Sequence, residues 1–499
     1  MRPSADSVAT PSAPTQAPRP SRPGPDGGRG RGGGGRGGGG GGRGGGRGGE
    51  RLVADPVDRA RKAMGYRNSW HRHEVDRSNQ VRWSEPLPPA PRVAIIGGGM
   101  SGLACARELA RLGIRSTVFD TGKHGVGGRM ATRASGEASL KAGNGSGSRP
   151  GGSGLSGLRF DHAAQFFTVT DPLFQAVVDD WLAAGLVKEW AGPVGSLDAG
   201  SGAFRPLPPS PPRYVAVGGM RELAEAQAEA LAAGSQALVE FRRPCWVGKM
   251  QADVERGWVL SGEGRGQGVY DAVVIAHNGK CANRLVGPTG APLVAEQLMR
   301  LRLSAVWALM VAFEGPLPVG FEGAFIRNSP VLSWAGNNTA KLGLSHNPEG
   351  LQCWTLFSTN EYGQANKVPQ ENIPADVADK VAEEMVAALK EAATGAAKGQ
   401  GGAWPRHVFT RVQLWGAALP RNTPGVPCIL DPDSRVGVCG DWLSGGSLQS
   451  AAVSGITLAR QIAGLRGRSG EAQLAPFRLG LEAPFAPLKG ATEIGEFPK

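Results

Sequence analysis

The segment Val93-Ala94-Ile95-Ile96-Gly97-Gly98-Gly99-Met100-Ser101-Gly102 constrains this chain more than any other. A short apolar run reads as a strand that stops at a glycine turn. Leu103, Ala106, Leu109 and Ala110 then fall at helical spacing. Gly97, Gly99 and Gly102 match the dinucleotide-binding pattern, and each glycine has a physical task. The first permits the tight turn, the second admits a pyrophosphate close to the backbone, and the third lets helix and strand pack tightly. A diphosphate would rest on the amides of the helix N-terminus, where Met100 and Ser101 stand. A second apolar run, Ser116 to Phe119, ends at Asp120. That is where the pattern places a carboxylate for the ribose hydroxyls, about 20 residues on. A glycine pattern alone means little in a chain with 78 glycines; strand, helix and acid together set this one apart.

The chain has 499 residues, enough for two or three domains and a large core. No uninterrupted apolar run approaches the roughly 18 residues that span a bilayer, so a soluble protein is expected. The most apolar stretch, Ala305 to Phe313, reads as a buried strand. The formal charge is +12, but residues 1–90 carry +8 of it, and the remaining 409 residues are close to balanced. The body is therefore not a basic nucleic-acid-binding surface. The cysteines Cys105, Cys245, Cys281, Cys353, Cys428 and Cys439 form no Cys-x-x-Cys pair and mostly sit among apolar residues. They read as buried thiols in a reducing compartment, with no disulfide framework and no metal site.

Residues 1–50 open rich in Pro, Ser and Ala and become a Gly/Arg tract with 19 glycines between Gly24 and Gly49. Such a composition buries nothing apolar and is expected to stay disordered. The Arg-Gly pattern is similar to RNA-binding tails, but no Phe or Tyr interleaves it, and a solvated tail is the simpler reading. The first 25 residues are similar to a transit peptide, implying a chloroplast or another organelle, with cytoplasm as the alternative. Residues 51–90 read as a linker, and 135–158 as a flexible Gly/Ser-rich insertion. Further on, Leu238–Phe241 and Gly257–Leu260 read as paired strands, and Tyr270–Ala276 as a buried strand of the parallel sheet. Val377, Val381, Met385 and Leu389 give one apolar face to a helix over Ala375–Ala393.

Further motifs follow. Gly125-Val126-Gly127-Gly128-Arg129-Met130 comes soon after Asp120; its glycines admit a ligand to the backbone, and Arg129 offers a fork to a phosphate. Phe160-Asp161-His162-Ala163-Ala164-Gln165-Phe166-Phe167-Thr168 is next. Near the C-terminus, the strand Val436–Cys439 ends at Gly440-Asp441-Trp442, followed by Gly445-Gly446-Ser447-Leu448 and a helix with Ala451, Gly455 and Ala459 on one face. Asp441 offers an acceptor to a sugar-like hydroxyl, and the helix amides stabilise negative charge.

Together these segments resemble renalase-like FAD/NAD(P)-binding oxidoreductases of the flavin amine-oxidase superfamily, over roughly residues 92–465. Ala163 stands where that family has Gly, and Leu414, before Trp415, where it has Arg. The resemblance implies an α/β fold: a Rossmann-type FAD-binding domain with an inserted α+β substrate domain. FAD-binding parts would comprise 91–134, 214–285 and 405–465, substrate parts 159–213 and 286–404, with 466–499 a tail. FAD would be held by Gly97, Gly99, Met100, Ser101, Gly102, Asp120, Gly128, Arg129, Met130, Gln165, Gly440, Asp441, Gly446, Ser447 and Leu448. By the same resemblance Phe241–Val247 would pass the adenine. Phe167, Trp334, Trp415 and Trp442 are candidates for a flat apolar substrate pocket. No catalytic base is identified; His162 and His277 are candidates, each as readily structural.

The implied reaction takes a hydride from a small organic substrate onto flavin N5, with dioxygen or another acceptor receiving the electrons. A dihydronicotinamide isomer or an amine is the implied substrate. A polyene desaturase-like enzyme is an alternative, and an RNA-associated protein acting through its Arg-Gly tail is another.

Overall fold

The computed structural model describes residues 55–57, 75–134, 157–234, 237–277, 279–344, 350–395 and 403–488. The chain divides into Met1–Val53, wholly outside those residues, and Ala54–Lys499. The Gly/Arg tract, the transit-peptide reading and the insertion at 135–156 therefore lie outside the described residues, as does the side chain of Cys281.

Two sheets organise the second unit. The first has six strands in the order Ile429–Asp431, Val436–Val438, Ala272–Ile275, Arg92–Ile96, Arg115–Phe119 and Val239–Arg242. All neighbours run parallel except the edge strand Ile429–Asp431. The apolar run Val93–Ile96 is buried on both faces, as a central parallel strand must be. Val93 and Ile95 face a core shared with Leu109 and Leu458. Ala94 and Ile96 face one shared with Trp258 and Leu298. The predicted helix after the glycine turn is Met100–Arg111, with Leu103, Ala106 and Leu109 buried.

The second sheet has seven strands in the order His407–Trp415, Val306–Phe313, Gln352–Ser358, Leu332–Asn337, Gly323–Arg327, Val194–Asp198 and Phe204–Pro206. Val306–Phe313 is buried at every residue, as its composition predicts. The helix Ala375–Thr394 lays Val377, Val381, Met385 and Leu389 into the core of this sheet. Among the described residues, no helix is long and apolar enough to cross a membrane.

The structure differs from the sequence reading in several places. Val239–Arg242 and Gly257–Gly262 do not pair. The former adds to the edge of the parallel sheet beside Arg115–Phe119, while the latter is the middle strand of a separate three-stranded sheet with Lys249–Asp253 and Arg265–Tyr270. Both are short, and only tertiary burial selects their partners. The strand His407–Trp415, expected within an FAD-binding part, belongs to the seven-stranded sheet. The helix Pro292–Arg300, expected in a substrate part, packs Val294, Ala295 and Leu298 with Ala94 and Ile96. The end of the expected linker is ordered: Leu87 is buried and Trp83 meets Trp258 edge-on. The tail is held as far as residue 488, with Leu474 and Leu481 buried and Ala486–Pro487 paired to Asn422–Thr423. Few apolar residues suffice to anchor such stretches, too few for a periodicity.

Candidate functional site

A cleft of ≈ 540 Å³ opens at the carboxyl ends of the parallel strands, within the size range of small-molecule sites. It collects the ends of Arg92–Ile96, Arg115–Phe119 and Val436–Val438, segments separated by up to 340 residues in the chain. In open α/β sheets this is where ligands bind.

Three glycines of the first motif divide the work as their spacing predicts. At Gly97 φ is +120°, and a Cβ would lie 2.7 Å from the Ala276 carbonyl oxygen. A Cβ at Gly102 would lie 2.0 Å from the Gly97 oxygen, so helix and strand touch there. Gly99 is different: the nearest protein atom to its Cβ position is 3.8 Å away. Its missing side chain relieves no crowding; it bares backbone to the cleft. The helix Met100–Arg111 starts at Gly99 with no side chain capping it, so its first amides remain available to an external acceptor. Asp120 ties the loop together, its carboxylate accepting from the Gly98 amide at 2.8 Å and the Gly122 amide at 2.6 Å. The second motif locks on through its backbone, the Gly127 amide donating to Gly98 O at 2.8 Å.

The C-terminal motif meets this cradle because two helices pack almost backbone to backbone. A Cβ at Gly455 would lie 2.1 Å from Ser101 O. The small face of Leu448–Gly464 thus serves a helix-helix contact, with Ala451 left at the cleft. Ser447 caps this helix, accepting from the Ser450 amide at 2.9 Å. Asp441 accepts from Arg129 at 2.6 Å, and Arg129 also donates to Ala418 O at 2.8 Å. Burial alone would lower the arginine's pKa; the Asp441 carboxylate overrides this and holds it above its ordinary range.

Of the residues singled out from sequence, Gly97, Gly99, Met100, Ser101, Asp120, Gly128, Arg129, Met130, Gly440, Asp441, Gly446, Ser447 and Leu448 line one cleft, with His277, Trp415 and Trp442. The buried indole N–H of Trp442 has no acceptor among the described residues. Gly102, Gln165, His162, Phe167 and Trp334 lie elsewhere. Gln165 is fully buried and donates to Asp161 O and Ala163 O. Phe167 packs among Phe174, Trp181 and Tyr214, and Trp334 among Phe166, Trp190 and Phe325. His162 lies behind Trp415, rings stacked 5.6 Å apart, its carbonyl accepting from the indole N–H at 2.8 Å. Burial, then the charges of Arg133, Arg221 and Arg411, depress its pKa to about 3. It is neutral at physiological pH and out of reach of the cleft.

Three contributors were not singled out. Trp246 stands at the Asp120 end, lining the cleft while 58% exposed. Phe166 and Leu419 line it near Trp415. Trp246 falls within the Phe241–Val247 stretch, which was the available signal. Burial pushes Cys353 up to about 11 and Cys428 up to about 12, so neither is a thiolate at neutral pH. Among the described residues, no group of His, Cys, Asp and Glu could hold a metal ion.

Fold and site define a class: a Rossmann-type dinucleotide-binding domain joined to a mixed second sheet, the fold of FAD-dependent amine oxidases and a flavin mutase. The family model "NAD(P)-binding Rossmann-like domain" matches residues 95–181. Cyclohexylamine oxidase from Brevibacterium oxydans IH-35A is similar in structure, with TM-score 0.50 and 15% identity over 75% of this chain and 99% of that one. Reduced UDP-galactopyranose mutase is similar with TM-score 0.51 and 12% identity over 78% of this chain and 96% of that one. At such identities the likeness is one of fold. Tryptophan 2-monooxygenase from Pseudomonas savastanoi is 48% identical over 42 residues, spanning 8% of each protein.

Proposed function

We propose that this protein is an FAD-dependent oxidoreductase acting on a small organic substrate. One observation carries the reading: two strand-glycine-helix turns, remote in the chain, line one cleft at the carboxyl ends of a parallel sheet. The residues fit the group. The open amides after Gly99 suit a diphosphate, and Asp120 retains acceptor capacity for ribose hydroxyls. The Arg129–Asp441 pair offers donor and acceptor further along, and the Ser447 turn brings a second helix N-terminus. Bound there, FAD would supply two-electron redox chemistry. The protein's own part is to hold, orient and exclude water: Phe166, Trp415, Leu419 and Trp442 give apolar walls.

Within this reading, we infer a flat, uncharged substrate, a dihydronicotinamide-type ring before a protonated amine. The carboxylate at the tryptophan end of the cleft is Asp441, already paired with Arg129, so an ammonium finds no uncommitted counter-charge there among the described residues. Amine oxidation, as in the name of the structurally similar cyclohexylamine oxidase, is the second reading. Dioxygen or another acceptor would reoxidise the flavin. The test is to purify the chain, record its visible spectrum, and mix it anaerobically with dihydronicotinamide isomers and with primary amines. Bleaching by the former supports the proposal. Bleaching by amines alone shifts it to the second reading, and a colourless protein that takes up no FAD overturns both.

A further inference from the structure

The Phe160–Thr168 segment contributes little side-chain chemistry to the cleft, yet it contains the most deeply buried ion pair among the described residues. Asp161 is 0% and Lys341 2% exposed. Lys341 Nζ lies 2.8 Å from Asp161 Oδ2 and donates to the Gln165 carbonyl at 3.1 Å. Asp161 Oδ1 accepts from the Thr132 hydroxyl at 2.6 Å and from the Met220 amide at 3.0 Å. That second bond caps the helix Met220–Ala232, whose own N-cap residue is glycine. The Asp161 amide donates to Asn338 Oδ1 at 3.0 Å, and its carbonyl accepts from the Thr355 hydroxyl at 2.9 Å.

These contacts tie four elements together. Thr132 and the Met220 helix lie beside the cofactor-side core, while Asn338–Leu342 and the strand Gln352–Ser358 belong to the seven-stranded sheet and its connections. Between Asp161 and Phe167 runs a stretch whose Ala163, Ala164 and Phe166 line the cleft. The same stretch is also held by the His162 amide to Ala131 O and the Ala164 amide to Arg129 O, each at 3.0 Å, by Trp415 donating to His162 O, and by Phe166 packing on Trp190, Phe325 and Trp334. Burying two charges costs more than packing an apolar pair of the same size, so stability alone does not call for this arrangement. What a paired charge supplies and an apolar pair does not is one fixed geometry.

We propose that Lys341 and Asp161 are positioning residues. Their ion pair fixes the Ala163–Phe166 wall against the glycine cradle, and through that wall it sets cofactor affinity. The proposal rests on the FAD reading. Burial lowers the lysine's pKa and Asp161 opposes this, which is consistent with a pair that acts as a unit.

The test uses the full chain with substitutions K341M, the apolar pair D161L/K341M, and T355V, which removes the hydroxyl that donates to the Asp161 carbonyl and accepts from the Asn338 side-chain amide. Thermal midpoint, FAD dissociation constant and the visible spectrum of bound FAD are measured well below the midpoint. In K341M we expect a lower midpoint, FAD binding weakened about tenfold, and an altered flavin spectrum. D161L/K341M leaves no lone buried charge but uncaps Met220 and takes the acceptor from Thr132, so it is expected to regain midpoint only in part and no FAD affinity. T355V is expected to weaken FAD binding about threefold and to lower the midpoint less than K341M does, since the Asn338 side-chain amide loses its acceptor. Variants that melt earlier but bind FAD as the parent does, with superimposable spectra, overturn the proposal and leave a structural pair. T355V decides the matter if the other two do not fold. A parent chain that takes up no FAD would overturn the cofactor reading instead.

Discussion

The two glycine turns of the cleft look alike in sequence and differ in how they are finished. The first leaves the N-terminus of Met100–Arg111 uncapped and leaves the Cβ position of Gly99 uncrowded. The second caps itself through Ser447, and its Gly440 amide is already bonded to the Ser454 hydroxyl at 3.0 Å. The first is a receiver of negative charge through bare backbone. The second works through side chains, offering Asp441 already engaged with Arg129. On the proposed reading, a ligand's phosphates would sit at the first turn, while position and polarity further along would be set at the second.

The largest effect is expected where the two turns depend on each other. G455V drives a side chain into Ser101 O, and the helix pair must separate. We expect a loss of about 3 kcal/mol and no FAD uptake, read by chemical denaturation and the visible spectrum. Retained stability with retained colour would mean that the two turns do not share a ligand.

Next comes the first turn alone. Trp246, exposed at the Asp120 end, is expected to cover the adenine. W246A should weaken binding of FAD and of ADP about tenfold and leave FMN binding unchanged, measured by equilibrium titration. The second turn is less sensitive. S447A removes the cap at a cost of about 1 kcal/mol, with FAD affinity falling several-fold. Equal losses at both turns would erase the contrast drawn above.

The effect that is smallest at neutral pH, and grows only on acidification, concerns His162, outside the cleft. Its folded pKa, about 3, lies below its ordinary 6.5. Between these values the unfolded chain binds a proton that the folded chain refuses. Stability from this site is therefore complete above pH 6.5 and falls as the pH drops toward 3. H162Q should flatten the decline of the denaturation midpoint between about pH 7 and pH 4. It should leave the pH profile of turnover near neutrality unchanged, as befits a residue behind the wall.

Much of the cradle was legible from the chain alone. Glycines, an apolar strand and an acid are local features, and local sterics fix what each can do: Gly97 needs its positive φ, and Gly102 has no room for a Cβ. The Phe160–Thr168 motif was visible too, but not which of its residues would reach the cleft. Phe166 does so and Phe167 does not, because alternate side chains along an extended stretch turn to opposite sides. Lys341 gave no signal at all. A single lysine in a polar stretch reads as surface until a carboxylate 180 residues away is found beside it.

The sequence by itself determined the parallel-sheet unit, the dinucleotide turn and the apolar strand Val306–Phe313, since each follows from short-range periodicity and backbone sterics. Only the tertiary structure decided strand partners, the sheet to which His407–Trp415 belongs, and the pairing of Arg129 with Asp441. Those depend on which surfaces meet when distant segments bury their apolar faces together, and no local pattern carries that information.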